Sequence, residues 1–198
     1  MTILASTVLN APVKTAALLT EAAYTKIARE VAKFPADQKQ SAVMAALAIA
    51  QNEQGWMSPA VIEDIARVLE MQPIAVQEVA TFYTMYNKKP MGTFKLTVCT
   101  NLPCQLRDGT KAADYIRAKL GIEFNGTSSD GAITLTEGEC MGACGDSPVM
   151  IVNNEQMCSF MSFAKIDALI DDLQQRSKAR SNGQVGVESA AFQTNKVS

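Results

Sequence analysis

Four of the five cysteines in this 198-residue sequence fall in two short segments, Cys99-Thr-Asn-Leu-Pro-Cys104 and Cys140-Met-Gly-Ala-Cys144, with 35 residues between them. The sequence contains no histidine, so imidazole is missing both as a metal ligand and as an acid or base near neutral pH. The thiols are therefore the first place to look for chemistry. Four thiolates brought together repel one another and need a cation between them. A structural zinc ion would accept four thiolates, although zinc loops usually separate the two cysteines of a pair by two to four residues, often two, so the spacing here permits zinc without favouring it. A thioredoxin-type dithiol needs Cys-x-x-Cys at a helix start, and neither pair has that spacing. An iron–sulfur cluster is bulkier than one ion, and wider loops suit it because they must wrap it and offer amides to its sulfurs.

Two pairs, each suited to one iron, argue for [2Fe–2S] over [4Fe–4S]; without histidine, Rieske-type ligation is excluded. The Cys-x2-Cys step of a plant-type ferredoxin is absent too. Gly142 and Gly145 allow the backbone to approach and to point N–H groups at sulfur, whereas Glu137, Glu139 and Asp146 oppose an added electron. Arg107 is either a counter-charge or a solvated surface residue. Leu102, Met141 and Ala143 would form an apolar cap, as local packing or as a docking surface. Cys158, in an apolar strand, reads as a buried structural thiol.

The elements that must position these loops follow from periodicity. Thr20 caps a helix carrying Tyr24, Ile27, Ala28, Val31 and Phe34 on one side, ended by Pro35. A second helix, from about Asp37 to Gly55, turns Val43, Met44, Leu47 and Ala50 inward. Ser58-Pro59 starts a third, stacking Ile62, Ile65, Ala66 and Leu69, and Pro73 opens a fourth, with Val76, Val79, Ala80 and Tyr83. These stripes read as core packing of a small helical bundle over 20–90, preceded by a loosely held leader, 1–19. The period then becomes alternating. Phe94, Leu96 and Val98 predict a strand running into Cys99, and Asp108 would cap a helix ending at Gly121. Strands follow from Ile133 to about Glu137, from Val149 to Val152, and from Gln156 to Phe160 after a turn at Asn153-Asn154-Glu155. Ser162 opens a last helix with Ile166, Leu169, Ile170 and Leu173 on one face. Strand, helix, three strands and helix is the order of a thioredoxin-like fold cut to four strands, over 91–175. Both cysteine pairs would lie on loops that follow strands. From Arg176 to residue 198 few anchoring apolar residues remain, and a disordered tail is expected. The fold class is thus α+β or α/β.

Net charge −2 and pI near 5.3 give no electrostatic case for nucleic acid. The longest apolar run, Val43 to Ala50, is far short of the roughly 20 residues of a membrane span. The first residues lack the basic region of a secretory signal, so a reducing cytosolic setting is the expectation, with thiols as ligands rather than disulfides.

Val79-Ala-Thr-Phe-Tyr-Thr-Met-Tyr86, Val98-Cys-Thr-Asn-Leu-Pro-Cys104 and Glu139-Cys-Met-Gly-Ala-Cys144 closely resemble the thioredoxin-like [2Fe–2S] subunit of respiratory NADH:quinone oxidoreductase, the E-type subunit of bacterial complex I, over residues 20 to 175. The resemblance implies that Cys99, Cys104, Cys140 and Cys144 ligate one [2Fe–2S] cluster and leaves Cys158 without a role. It also implies an F-type flavoprotein partner holding FMN, the NADH site and a [4Fe–4S] cluster, alongside other peripheral-arm subunits. Single electrons would pass between that FMN and this cluster, in a complex bound to the cytoplasmic side of the inner membrane, with no membrane insertion by this chain. No Gly-rich nucleotide loop occurs here, in keeping with an oxidoreductase subunit that has no complete active site of its own. The same module occurs in NAD-dependent formate dehydrogenases and NAD-reducing hydrogenases. A zinc-stabilised interaction module is the alternative of another class.

Overall fold

The computed structural model describes residues 18–181, and the chain divides into two compact units, the first ending at Lys89 and the second starting at Pro90. Among its described residues the first unit has four α-helices: α1 (Glu21–Val31), α2 (Val43–Gln54), α3 (Pro59–Leu69) and α4 (Pro73–Phe82). Thr20 caps α1 by accepting from the Ala23 amide at 3.3 Å, while its own N–H and hydroxyl donate to the Glu53 carboxylate at 2.7 and 2.6 Å. One residue thereby closes a helix end and ties α1 to α2. Ser58 caps α3 through the Val61 amide, with Pro59 in the first turn where its missing N–H costs nothing. Ile27, Leu47, Ile65, Leu69, Val76 and Ala80 fill the core of this unit. Tyr86 joins them and donates its hydroxyl to the Met44 carbonyl at 2.8 Å.

Several sequence expectations shift here. The helix expected from about Asp37 begins with a 3-10 turn, Lys39–Ala42, and becomes α-helical only at Val43. Tyr83 is not part of the α4 stripe: the chain turns extended there, and the ring is left 38 % exposed. Phe34 lies beyond the end of α1 and is exposed. Of the expected leader 1–19, Leu19 is buried; residues 1–17 lie outside the described residues.

The second unit is a four-stranded sheet of β1 (Phe94–Cys99), β2 (Ile133–Gly138), β3 (Met150–Val152) and β4 (Gln156–Cys158), in the order β2-β1-β3-β4. β1 and β2 run parallel, in register from Phe94↔Ile133 to Cys99↔Gly138; β3 is antiparallel to β1 and β4 to β3. The parallel pair requires a crossover, supplied by a single helical turn, α5 (Leu102–Gln105), and by α6 (Gly109–Leu120). The hairpin between β3 and β4 turns through Asn153 and Asn154, both at positive φ, which asparagine tolerates. The final helix, α7 (Phe163–Ser181), buries Ile166, Leu169, Ile170 and Leu173 in a core shared with Phe94, Leu96, Ile116 and Leu135.

The expected disordered tail from Arg176 is corrected over its first residues, because α7 runs on to Ser181. The guanidinium groups of Arg176 and Arg180 lie 4.8 and 4.9 Å from the Phe94 ring centre, and Ser177 hydrogen-bonds Thr93 at 2.8 Å. Long basic side chains laid on an aromatic face hold these turns. Residues 182–198 lie outside the described residues.

Candidate metal centre

Parallel pairing of β1 and β2 is what brings the cysteines together. Cys99 ends β1 opposite Gly138, the last residue of β2, so the segment bearing Cys140 leaves the sheet at the same end as the segment bearing Cys104. The Thr100 amide donates to the Gly138 carbonyl at 3.1 Å, and the Thr100 hydroxyl to the Glu137 carboxylate at 2.7 Å, fastening the two segments just past the strands. The pairs are not both on plain loops, as expected from sequence: Cys104 lies in the turn α5, and Cys144 opens a 3-10 turn, Cys144–Asp146.

The two pairs differ in exposure. Cys99 and Cys104 are buried, 2 and 1 % exposed, in a small apolar cluster with Val149, fringed by Met141, Ala143 and Met157. Cys140 and Cys144 are exposed, with their sulfurs 3.9 Å apart. Cys104 is fixed by the start of α6: a Cβ on Gly109 would lie 2.7 Å from the Cys104 carbonyl oxygen and 2.9 Å from its Cβ. Only glycine allows that approach. Asp108 stands at the N-cap position of α6, as expected, but makes no side-chain cap hydrogen bond; it takes a left-handed conformation and pairs with Lys111 at 2.8 Å.

Hydrogen-bond donors surround the sulfurs. The Gly142 amide, at φ +73, points to Cys140 Sγ at 3.4 Å. Burial and contact with Cys104 push the Cys99 thiol up, against hydrogen bonds from the Asn101 and Met141 backbone. At Cys104 burial also favours the thiol, but the Ser147 hydroxyl, Cys99 and the Val149 backbone outweigh it and bring the pKa down. Contact with Cys140, then burial, raises Cys144, and the charge of Cys104 adds to this. The Cys99 thiol donates to the Glu139 carbonyl at 2.8 Å. Among the described residues, no three His, Cys, Asp or Glu side chains converge as a single bound ion would require. The thiols stand as pairs.

Of the other residues singled out from sequence, Arg107 is exposed and donates to the Gly145 carbonyl at 2.8 Å. Leu102 is 64 % exposed, whereas Met141 and Ala143 pack beside the buried cysteines. Cys158 is buried in the main core of the unit, and burial pushes its thiol up to about 11. Ser147 and Gly109 were missed. A glycine in the first turn of α6, where it weakens a helix, was a signal for close approach; nothing in the sequence marked Ser147.

Sheet order, crossover and thiol-bearing edge define a small α/β protein of thioredoxin type. Residues 27–174 match the thioredoxin-like [2Fe-2S] ferredoxin family, and the chain belongs to that family; its cofactor is a [2Fe–2S] cluster. The chain is 36 % identical over 151 residues to the E-type subunit of the NADH-quinone oxidoreductase of Rickettsia prowazekii (strain Madrid E), covering 76 % of this chain and 85 % of the relative. The second E-type subunit of the Rhizobium meliloti (strain 1021) enzyme is 35 % identical, covering 79 and 91 %. NADH-quinone oxidoreductase subunit 2 of Thermus thermophilus (strain ATCC 27634) is 36 % identical, covering 72 and 78 %. Among solved structures, an NAD+-reducing [NiFe]-hydrogenase in the H2-reduced state shares the fold at TM-score 0.57 and 16 % identity, over 66 % of this chain; the match spans 22 % of that chain. The donor set fits the cofactor: four free thiols in two pairs where the chain leaves the C-terminal ends of β1 and β2, with the Gly142 amide aimed at Cys140 Sγ and the Ser147 hydroxyl oxygen 3.2 Å from Cys104 Sγ. No helix among the described residues is long and apolar enough to cross a membrane.

Proposed function

We propose that this chain is the electron-transfer subunit of an NADH:quinone oxidoreductase and that Cys99, Cys104, Cys140 and Cys144 ligate its [2Fe–2S] cluster. The observation that carries the proposal is that the two cysteine pairs lie where the chain leaves the paired C-terminal ends of β1 and β2, in a chain 36 % identical to an E-type subunit of that enzyme. When bound, the cluster accepts and returns one electron at a time. The chain's own residues hold it: Cys99 and Cys104 from the buried side, Cys140 and Cys144 from the exposed side, with the amide of Gly142 and the backbone of Asn101, Met141 and Val149 offsetting thiolate charge. Val149, Met141 and Met157 keep water from the buried half.

The exposed half suits exchange with a second protein. That partner is an F-type flavoprotein subunit binding FMN, NADH and a [4Fe–4S] cluster, within a peripheral arm on the cytoplasmic side of the membrane. The active site for NADH is then on the partner, and the helical bundle of residues 20–90 is a separate part of this subunit.

Anaerobically purified protein should be red-brown, hold about two irons and two labile sulfides per chain, and give a rhombic EPR signal only when reduced. Colourless protein with one zinc and no sulfide would refute the proposal. Capture of partners from the native host tests the complex: a flavoprotein with quinone-reductase subunits is expected, and molybdenum or nickel subunits would assign the chain to a formate dehydrogenase or hydrogenase instead.

A further inference from the structure

Ser147 is a buried hydroxyl, 5 % exposed, with two acceptors in reach: the Cys144 carbonyl oxygen at 2.8 Å and Cys104 Sγ at 3.2 Å. A serine has one proton to give and two lone pairs to receive with. While Cys104 is a thiol, it can donate to Ser147 Oγ, and the serine proton stays on the Cys144 carbonyl. A metal-bound sulfur has no proton. The 3.2 Å contact is then attractive only if the serine O–H points at sulfur. A negatively charged acceptor is the stronger one, and the carbonyl it gives up belongs to an exposed residue that water can reach.

Resting on the assignment of Cys104 as a ligand, we propose that Ser147 donates its hydroxyl proton to the Cys104 sulfur in the cluster-loaded protein and raises the reduction potential of the cluster. In a loaded protein, one electron from dithionite would convert one ferric ion to ferrous, with no bond to the cluster made or broken. The added negative charge spreads onto the ligand sulfurs, so a donor aimed at one of them stabilises the reduced form more than the oxidised form. Asn101, Met141, Val149 and Gly142 act on the sulfurs through the backbone. Ser147 acts through a side chain and can be removed without altering the main chain. It is a positioning and tuning residue rather than a ligand.

The test is an EPR-monitored redox titration of the full chain with dithionite, comparing the natural protein with Ser147→Ala and Ser147→Thr. Ser147→Ala should keep its iron and sulfide while the reduced-to-oxidised ratio at fixed ambient potential falls about tenfold, equivalent to about 59 mV for one electron. Ser147→Thr, which retains the hydroxyl, should recover most of that shift. Resonance Raman iron–sulfur frequencies of the natural protein should move on exchange into D2O, and a smaller movement is expected in Ser147→Ala. An unchanged potential in a fully loaded Ser147→Ala overturns the proposal, as does an absent isotope shift in the natural protein. Cys104→Ala separates this proposal from the one beneath it. Loss of the cluster there supports the ligand assignment whatever Ser147 does; a native cluster in Cys104→Ala would overturn both.

Discussion

The two cysteine pairs differ in burial and in the elements that carry them. Cys99 and Cys104 lie at 2 and 1 % exposure, one at the end of a strand and one in a helical turn against which α6 is pressed. Cys140 and Cys144 are exposed, in a segment whose regular structure is one 3-10 turn. The first pair is an anchor set by the fold, and the second is a clasp on the outside. Under the ligand set proposed above, the buried pair would limit reorganisation and hydrolysis, while the exposed pair would let an electron donor approach.

Ligand removal is the largest expected break in that comparison. Cys104→Ala should abolish the cluster, so that iron falls from about two per chain to none, as Cys158, the other buried thiol, lies in a different core cluster. Cys144→Ser should give partial loading with an altered EPR signal, because an exposed loop can adjust to an oxygen ligand. Equal loss in both variants would mean that the two sides are equally constrained.

Cys158, buried like the first pair but in the main core, is the control. Burial holds its thiol at about 11 in the folded protein against an ordinary 9.0. The pKa of an acid is thus raised on folding, so its contribution to stability is complete below pH 9 and is lost as pH rises through 11. Two pKa units correspond to about 2–3 kcal/mol. The stability gap between the natural protein and Cys158→Ala, measured by urea denaturation, should change by about that amount between about pH 8 and 11, with iron content the same in both at the lower pH. Loss of iron from Cys158→Ala would add a fifth thiol to the site.

How much of this was legible in sequence depended on whether the signal was local. The switch from helical to alternating periodicity near residue 92, the strand into Cys99 and the Ser58-Pro59 helix start were all readable, because each rests on neighbouring residues. The end of α7 was not, since Arg176 and Arg180 look like tail residues until Phe94, far away in the chain, supplies the ring they cover. The same applies to the cysteines. Their spacing suggested a cluster, but the adjacency of the pairs depends on the register Cys99↔Gly138, and the role of Ser147 depends on a 3.2 Å approach that no spacing encodes. Asp108 shows the opposite failure: the residue type suited a cap, but its left-handed backbone turned the carboxylate to Lys111.

Two glycines give the finest comparison of anchor and clasp. An added methyl at Gly109 would meet the Cys104 carbonyl carbon at 2.8 Å and its oxygen at 2.7 Å, and backbone cannot move aside as a flexible side chain can. Gly145, next to Cys144, has nothing within 4 Å of the corresponding position. Gly109→Ala should cost about 1–3 kcal/mol in urea denaturation, as overpacking does. It should also lower cluster loading, because Cys104 is pushed from its place. Gly145→Ala should stay within about 0.5 kcal/mol and keep the cluster. If the order were reversed, the segment around Cys144 would be the rigid side of the site, and α6 would hold Cys104 only loosely.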